Sequence, residues 1–259
     1  ALLGRLPSLG LGGLVLAIYL FLYAPAIVIA LYSLDTSAIM SWPIDVLTTG
    51  WYGKAFHDED LRQGLRNTVV VALASNAIAL LLGVPAGFGL DRFSFPGKAV
   101  FERVLMAPFL FPGVISGLTL LTLFIDLDVK LSLRTVVIGH TTMLLGVYVV
   151  LTLVTLRRWD RSLEFAAMDL GADEIRTFFL VVLPNIRGAI FGAALLGLTV
   201  SLDEIPRTFF LTGTENTLPM VVMSRLHISI TPEINAVATV VLGVSLVSLA
   251  VWSRVFRPR

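Results

Sequence analysis

Six stretches free of Asp, Glu, Lys and Arg constrain the fold of this chain more than any other feature. They lie between Arg5 and Asp35 (29 residues), Arg66 and Asp91 (24), Arg103 and Asp126 (22), Arg134 and Arg157 (22), Arg187 and Asp203 (15), and Glu233 and Arg254 (20). A helix needs about 20 apolar residues to cross a bilayer core, where the backbone must satisfy its own hydrogen bonds. Five intervals meet that length. The fifth in order is short, but uncharged residues resume from Thr208 to Thr214, so it is expected to be a span whose outer end carries Asp203 and Glu204. With 56% hydrophobic residues, 14% charged residues and a mean hydropathy of +0.89, the chain reads as an all-α polytopic membrane protein with about six transmembrane helices. Residues 1–259 are expected to form a single transmembrane domain.

Ala24-Pro25-Ala26 has the small residues of a leader cleavage site. The apolar stretch before it is too long for a typical leader, and the proline would sit inside the site, so a retained span is expected. Lys and Arg set the orientation. If the first span leaves the cytoplasm, 12 of the 19 basic residues fall inside and 7 outside, which places both termini and the loop 157–187 in the cytoplasm. The acids run the other way, 7 inside and 11 outside.

Several chemistries are excluded. The chain has no cysteine, so disulfides and thiol catalysis are absent. His57, His140 and His227 have no metal-ligand spacing, and a net charge of +1 without basic runs gives no nucleic-acid partner. Gly53-Lys54 and Gly97-Lys98 are each followed by Ala and lack the glycine of a phosphate-cradling loop. No nucleophile-elbow or zincin signature occurs, so no catalytic residue, cofactor site or metal site is expected.

The longest polar interruption on the more basic side is Arg161 to Ile190, RSLEFAAMDLGADEIRTFFLVVLPNIRGAI. Leu163, Ala166, Ala167 and Leu170 form one apolar stripe, with Ser162 expected as N-cap and Glu164 in the first turn, where the helix dipole favours a negative charge. Gly171 is placed to end that helix in the left-handed region. Ile175, Phe178, Phe179 and Val182 start a second stripe, which Pro184 is expected to close. Ala166 and Ala167 would let another surface come close to the backbone.

This stretch resembles the cytoplasmic EAA loop of permease subunits of binding-protein-dependent ABC importers. The pattern is Glu-Ala-Ala, three residues, Gly, nine residues, Ile, one residue, Leu-Pro. Ala166-Ala167, Gly171, Val181 and Leu183-Pro184 stand at its spacing. Its Glu falls on Phe165, with the acid displaced to Glu164. The segment from Asp35 to Arg66 is similar to the first external loop of polyamine-type permeases, with Trp51-Tyr52 followed by Phe56, Leu61, Leu65 and Asn67. Trp42, Trp51 and Tyr52 there suit the membrane interface, and a short surface helix is expected. "SLDE" from Ser201 to Glu204, Leu218-Pro219 and "TPEINA" from Thr231 to Ala236 resemble the last third of spermidine/putrescine uptake permeases.

The resemblance implies a type I ABC importer permease fold in a bacterial inner membrane. It implies a homologous second permease, two ATPase subunits that bind the ATP and Mg, and an external binding protein. The chain itself would be a transport subunit rather than an enzyme. Glu164, Ala166, Ala167, Met168, Asp169, Gly171 and Ala172 would couple to the ATPase. Small polar or cationic solutes such as polyamines are the implied substrates, with opines, aminophosphonates and ferric ions carried by relatives.

Asp203 and Glu204 are candidates for the translocation pathway, since ionisable groups at a span end are costly to bury. Being adjacent, they point roughly 100° apart on a helix. The other reading sets both in headgroups and water. Gly83, Pro85, Gly87 and Gly89 in the second interval, and Pro108, Pro112, Gly113 and Gly117 in the third, fit either close helix packing or bent helices lining a path. A different class, a secondary transporter driven by an ion gradient, would need paired intramembrane carboxylates or broken helices in repeated halves.

Overall fold

The computed structural model describes residues 6–37, 42–44, 46–158, 160–227 and 231–255. Arg5, Arg257 and Arg259 of the orientation count, and Ser41 and Asp45 of the first external segment, lie outside them. The elements in order are α1 (Leu6–Tyr32), α2 (Gly50–His57), α3 (Glu59–Arg92), α4 (Lys98–Leu110), α5 (Gly113–Asp126), α6 (Leu133–Arg157), α7 (Ser162–Asp169) and α8 (Glu174–Thr177). A π-helical turn, Phe178–Val182, then leads into α9 (Leu183–Leu202), α10 (Pro206–Leu211), α11 (Leu218–Leu226) and α12 (Pro232–Val255). No strand is present among the described residues, so the all-α class holds.

Among the described residues four helices are long and apolar enough to cross a bilayer: Leu11–Tyr32, Glu59–Arg92, Leu133–Arg157 and Glu174–Leu202. The third sequence interval is met by a pair, α4 and α5, that passes the same test only together and is bent by 110°. The cause is local. Pro112 disfavours helical geometry at the residue before it, and Phe111 is extended at φ −78°, ψ 143°. The last interval falls in α12, of which Pro232–Gly243 is a shorter apolar helix among the described residues.

The fifth interval recovers its length at the opposite end from the one expected. Its helix does not run on to Thr214; it stops at Leu202, and Pro206, which has no N–H to continue the ladder, opens α10. The missing turns come from the N-terminal side, because α8, the π turn and α9 form one continuous helix of 29 residues. Pro184 therefore does not close a segment. It sits in the first turn of α9, directly after the π turn, where the wider i→i+5 pattern accommodates a residue lacking an N–H.

The described chain divides into two compact units. In the first, residues 1–62 and 222–259, α12 packs on both α1 and α2. Trp51 donates its indole N–H to the carbonyl of Asp35 at 2.6 Å, and the Tyr52 hydroxyl pairs with Ser33 Oγ at 2.7 Å. These two aromatics therefore tie the expected surface helix α2 to the end of α1, while Trp42 is left 77% exposed. Arg225 bonds both carboxylate oxygens of Asp58, at 2.8 and 3.0 Å, and lies 3.7 Å from Glu233.

The second unit, residues 63–221, is organised around α6. Val136, His140, Leu144, Tyr148 and Leu156 of that helix are all fully buried. Gly83 and Gly87 of α3 face Tyr148 and Thr152 of α6, where an added Cβ would lie 2.6 and 2.8 Å from the opposing Cβ atoms. Small residues four apart thus let the two backbones close. Asn76 fastens the same layer, donating to the Ala194 carbonyl at 3.0 Å and accepting from the Tyr148 hydroxyl at 2.8 Å.

Candidate functional site

Two groups of chemistry-bearing residues lie in the second unit. The first is the stretch around α7. The N-cap of this helix is Arg161, not Ser162, and no side chain caps it; Asp160, one residue earlier, accepts the Ser162 N–H on its Oδ1 at 2.9 Å. Ser162 is already the first helical residue, so its own side chain cannot reach the amides a cap serves. The Ser162 backbone N–H, and then its hydroxyl, hold the Asp160 carboxyl below the ordinary aspartate value.

Gly171 ends α7 as expected, with φ +90°. Its N–H bonds the Met168 carbonyl at 2.9 Å, and the Ala172 N–H bonds that of Ala167 at 3.1 Å. Asp173 then caps α8, accepting the Arg176 N–H at 2.7 Å. Leu163, Ala166, Asp169 and Leu170 are exposed, Leu170 by 90%, together with Phe165 and Met168; Ala167 and Ala172 are half-buried.

Glu164 alone of the α7 residues is buried. It turns inward to Arg92, the last residue of α3. Arg92 Nε donates to Glu164 Oε2 at 2.8 Å, and Nη2 closes a second bond to Oε1. Nη1 pairs with Asp91. The displaced acid of the EAA pattern thus faces the membrane domain, while Phe165, at the pattern's Glu position, is 59% exposed. Sequence reading counted Arg92 only as a topology charge. Its place at the end of a span was the available signal.

The second group lies at the α9–α10 break. Asp203 is exposed at the C-cap of α9 and Glu204 turns inward, so the two acids diverge, though both lie beyond the end of the helix on which adjacency was expected to separate them. Glu204 Oε1 accepts from Arg207 Nη1 and from the Arg207 backbone N–H, each at 3.1 Å. Arg207 is 4% exposed. Its Nη1 also points at Met143 Sδ at 3.1 Å, and its Nη2 donates to the carbonyls of Pro108 at 3.1 Å and Phe111 at 3.5 Å. Those carbonyls flank the α4–α5 bend, where the ladder that would have used them is broken. The orientation count uses Arg207 only as a charge of an outside segment; the fold buries it within the protein.

His140 bridges the same break from α6. Its Nδ1 lies 2.7 Å from Ser201 Oγ and its Nε2 lies 2.9 Å from Thr208 Oγ1. The Thr208 hydroxyl donates to the Glu204 carbonyl at 2.7 Å, so Nε2 is the donor toward Thr208. No acid is near His140 in sequence, and only the fold brings it to this group. Among the described residues no cluster of His, Cys, Asp and Glu could hold a metal.

No family model matches the chain. The putrescine transport system permease protein PotI of Escherichia coli (strain K12) is 35% identical over 247 residues, covering 90% of this chain and 86% of that protein. The spermidine/putrescine transport system permease protein PotC of the same organism is 31% identical over 238 residues, covering 91% and 89%. A chain of a bacterial ABC transporter involved in the import of the acidic polysaccharide alginate superposes with a TM-score of 0.72 at 17% identity, covering 97% of this chain and 95% of that one.

Proposed function

The chain belongs to the family of ABC importer permeases that includes the putrescine and spermidine/putrescine permeases, and from that premise we propose how it works. It pairs with a homologous second permease in the bacterial inner membrane as one transmembrane domain, with both termini and the loop 157–187 in the cytoplasm. The two permeases enclose a pathway for a polyamine-like cation that an external binding protein delivers. Two ATPase subunits bind ATP and Mg beneath them. Ala166, Ala167, Met168, Asp169, Gly171 and Ala172 contact an ATPase, Glu164 holds α7 in place, and Asp203 and Glu204 lie along the pathway.

The observation that carries this reading is the exposed apolar surface of α7 and its C-cap. Leu163 and Phe165 of the helix and Leu170 just after it are 49%, 59% and 90% exposed, while Glu164 is the one buried residue. Exposed apolar side chains grouped on a polar loop fit a binding surface rather than a packed one. The tests are co-purification and transport. A tag on this chain should bring down an ATPase and a second permease, and vesicles holding that complex should take up putrescine only with ATP and binding protein. A chain that purifies alone and transports with an ion gradient would overturn the reading.

A further inference from the structure

The geometry points to Arg92 and Glu164 as the joint that carries motion from α7 into α3, a positioning pair for energy coupling; this rests on the proposed importer reading. Glu164 is the one buried residue of α7, and Arg92 is the last residue of the long span α3. Their side chains are 5% and 6% exposed, and two parallel bonds fix the angle between them as well as the distance. Elsewhere α7 packs on α8 and on the π turn, and on one side its chain continues through Gly171 at φ +90°, with open space where a Cβ would stand. The pair is the charged tie that joins α7 to the end of α3.

A buried pair of this kind does not slide. Separating it leaves an uncompensated charge out of water, so the two helices move together or not at all. The exposed Asp173–Arg176 pair nearby, at 3.7 Å and more than 60% exposed, provides no such constraint. The contact also continues inward. The Arg92 guanidinium lies 5.6 Å over the Phe88 ring, and Phe88 packs 4.7 Å from Phe178 in the π turn that leads into α9. One carboxylate therefore grips two spans, through Arg92 itself and through the ring beneath it. The one-residue displacement of the acid from the EAA pattern fits this role, because a step of one residue turns the carboxylate by roughly 100°, away from the face that carries Phe165.

The test uses the complex purified through a tag on this chain and reconstituted in lipid vesicles. Glu164→Gln keeps shape and removes charge. With ATPase still co-purifying, putrescine taken up per ATP hydrolysed should fall by about tenfold or more, the scale of an ordinary coupling term. Nitroxides on cysteines introduced at Ser94 and Asp169, in a chain with no native cysteine, should change from one sharp separation to a broad distribution. Arg92→Glu combined with Glu164→Arg, in a background of Asp91→Asn that removes the acid paired with Arg92, should restore both. Unchanged coupling with an unchanged distance in Glu164→Gln would overturn the joint. If Glu164→Gln does not accumulate, the reversed pair decides: recovered level with recovered coupling supports the joint, and anything less counts against it. A native complex without ATP-driven uptake would instead sink the importer reading beneath it.

Discussion

Arg207 of α10 donates to the carbonyl oxygen of Pro108, 99 residues earlier, across 3.1 Å. The bend between α4 and α5 and the break between α9 and α10 thus satisfy each other. One frees carbonyls in a part-buried setting, and the other supplies the donors. Glu204 balances the charge this brings inside.

Arg207→Met should therefore cost more than a lost surface charge. It orphans Glu204 and leaves the Pro108 and Phe111 carbonyls short of donors, a loss of about 3 kcal/mol or more for a broken buried pair. The thermal midpoint of the purified complex should drop. The double change Arg207→Met with Glu204→Gln should recover part of the drop, because the unpaired charge is gone. An unshifted midpoint in the single variant would remove the pair from the stabilising contacts.

Asp58 and Arg225 give a pH dependence. The Arg225 side chain, bonded to the carboxylate, holds Asp58 below its ordinary value of 3.8. A depressed folded-state pKa stabilises above the unfolded value and is lost as pH falls through the folded one. Arg225→Ala should lower the thermal midpoint at pH 7. The gap to the parent protein should close as the pH drops below 3.8. A gap that persists unchanged at low pH would mean the pair is not its source.

Gly171 and Ala167 test the presented surface. Any side chain at Gly171 meets no steric clash but must adopt φ +90°, costing on the order of 1 kcal/mol and tilting α7. Gly171→Asp and Ala167→Arg should leave the membrane level of the subunit intact and abolish ATP hydrolysis stimulated by loaded binding protein. Full stimulation in both variants would make the stretch an ordinary surface loop.

The charge-free intervals match four long apolar helices and one bent pair among the described residues, and the Pro112–Gly113 bend and the Gly171 turn are legible through residues whose backbone limits are local. What the sequence hid is long-range or depends on competition between neighbours. Arg92 and Arg207 look like surface charges until partners 72 and 99 residues away close on them. Ser162 suits an N-cap by type, but the helix starts at Ser162 itself and leaves Arg161 in the cap position. Pro184 looked like a terminator because the π turn that absorbs it leaves no mark in the apolar pattern.

Orientation is checked by cysteine labelling, which the cysteine-free chain permits without background. Asp173→Cys and Thr214→Cys both place the thiol at exposed positions. In intact cells an impermeant reagent should label Thr214→Cys and spare Asp173→Cys. The reverse pattern would invert the chain in the membrane.

Uptake of labelled putrescine into vesicles holding the complex purified on this chain separates an ATP-driven importer from the other transporter classes. ATP is sealed inside and binding protein is added outside. Accumulation should require both and should continue when proton and sodium gradients are collapsed. Accumulation that ignores ATP and stops when those gradients are collapsed would contradict the importer assignment.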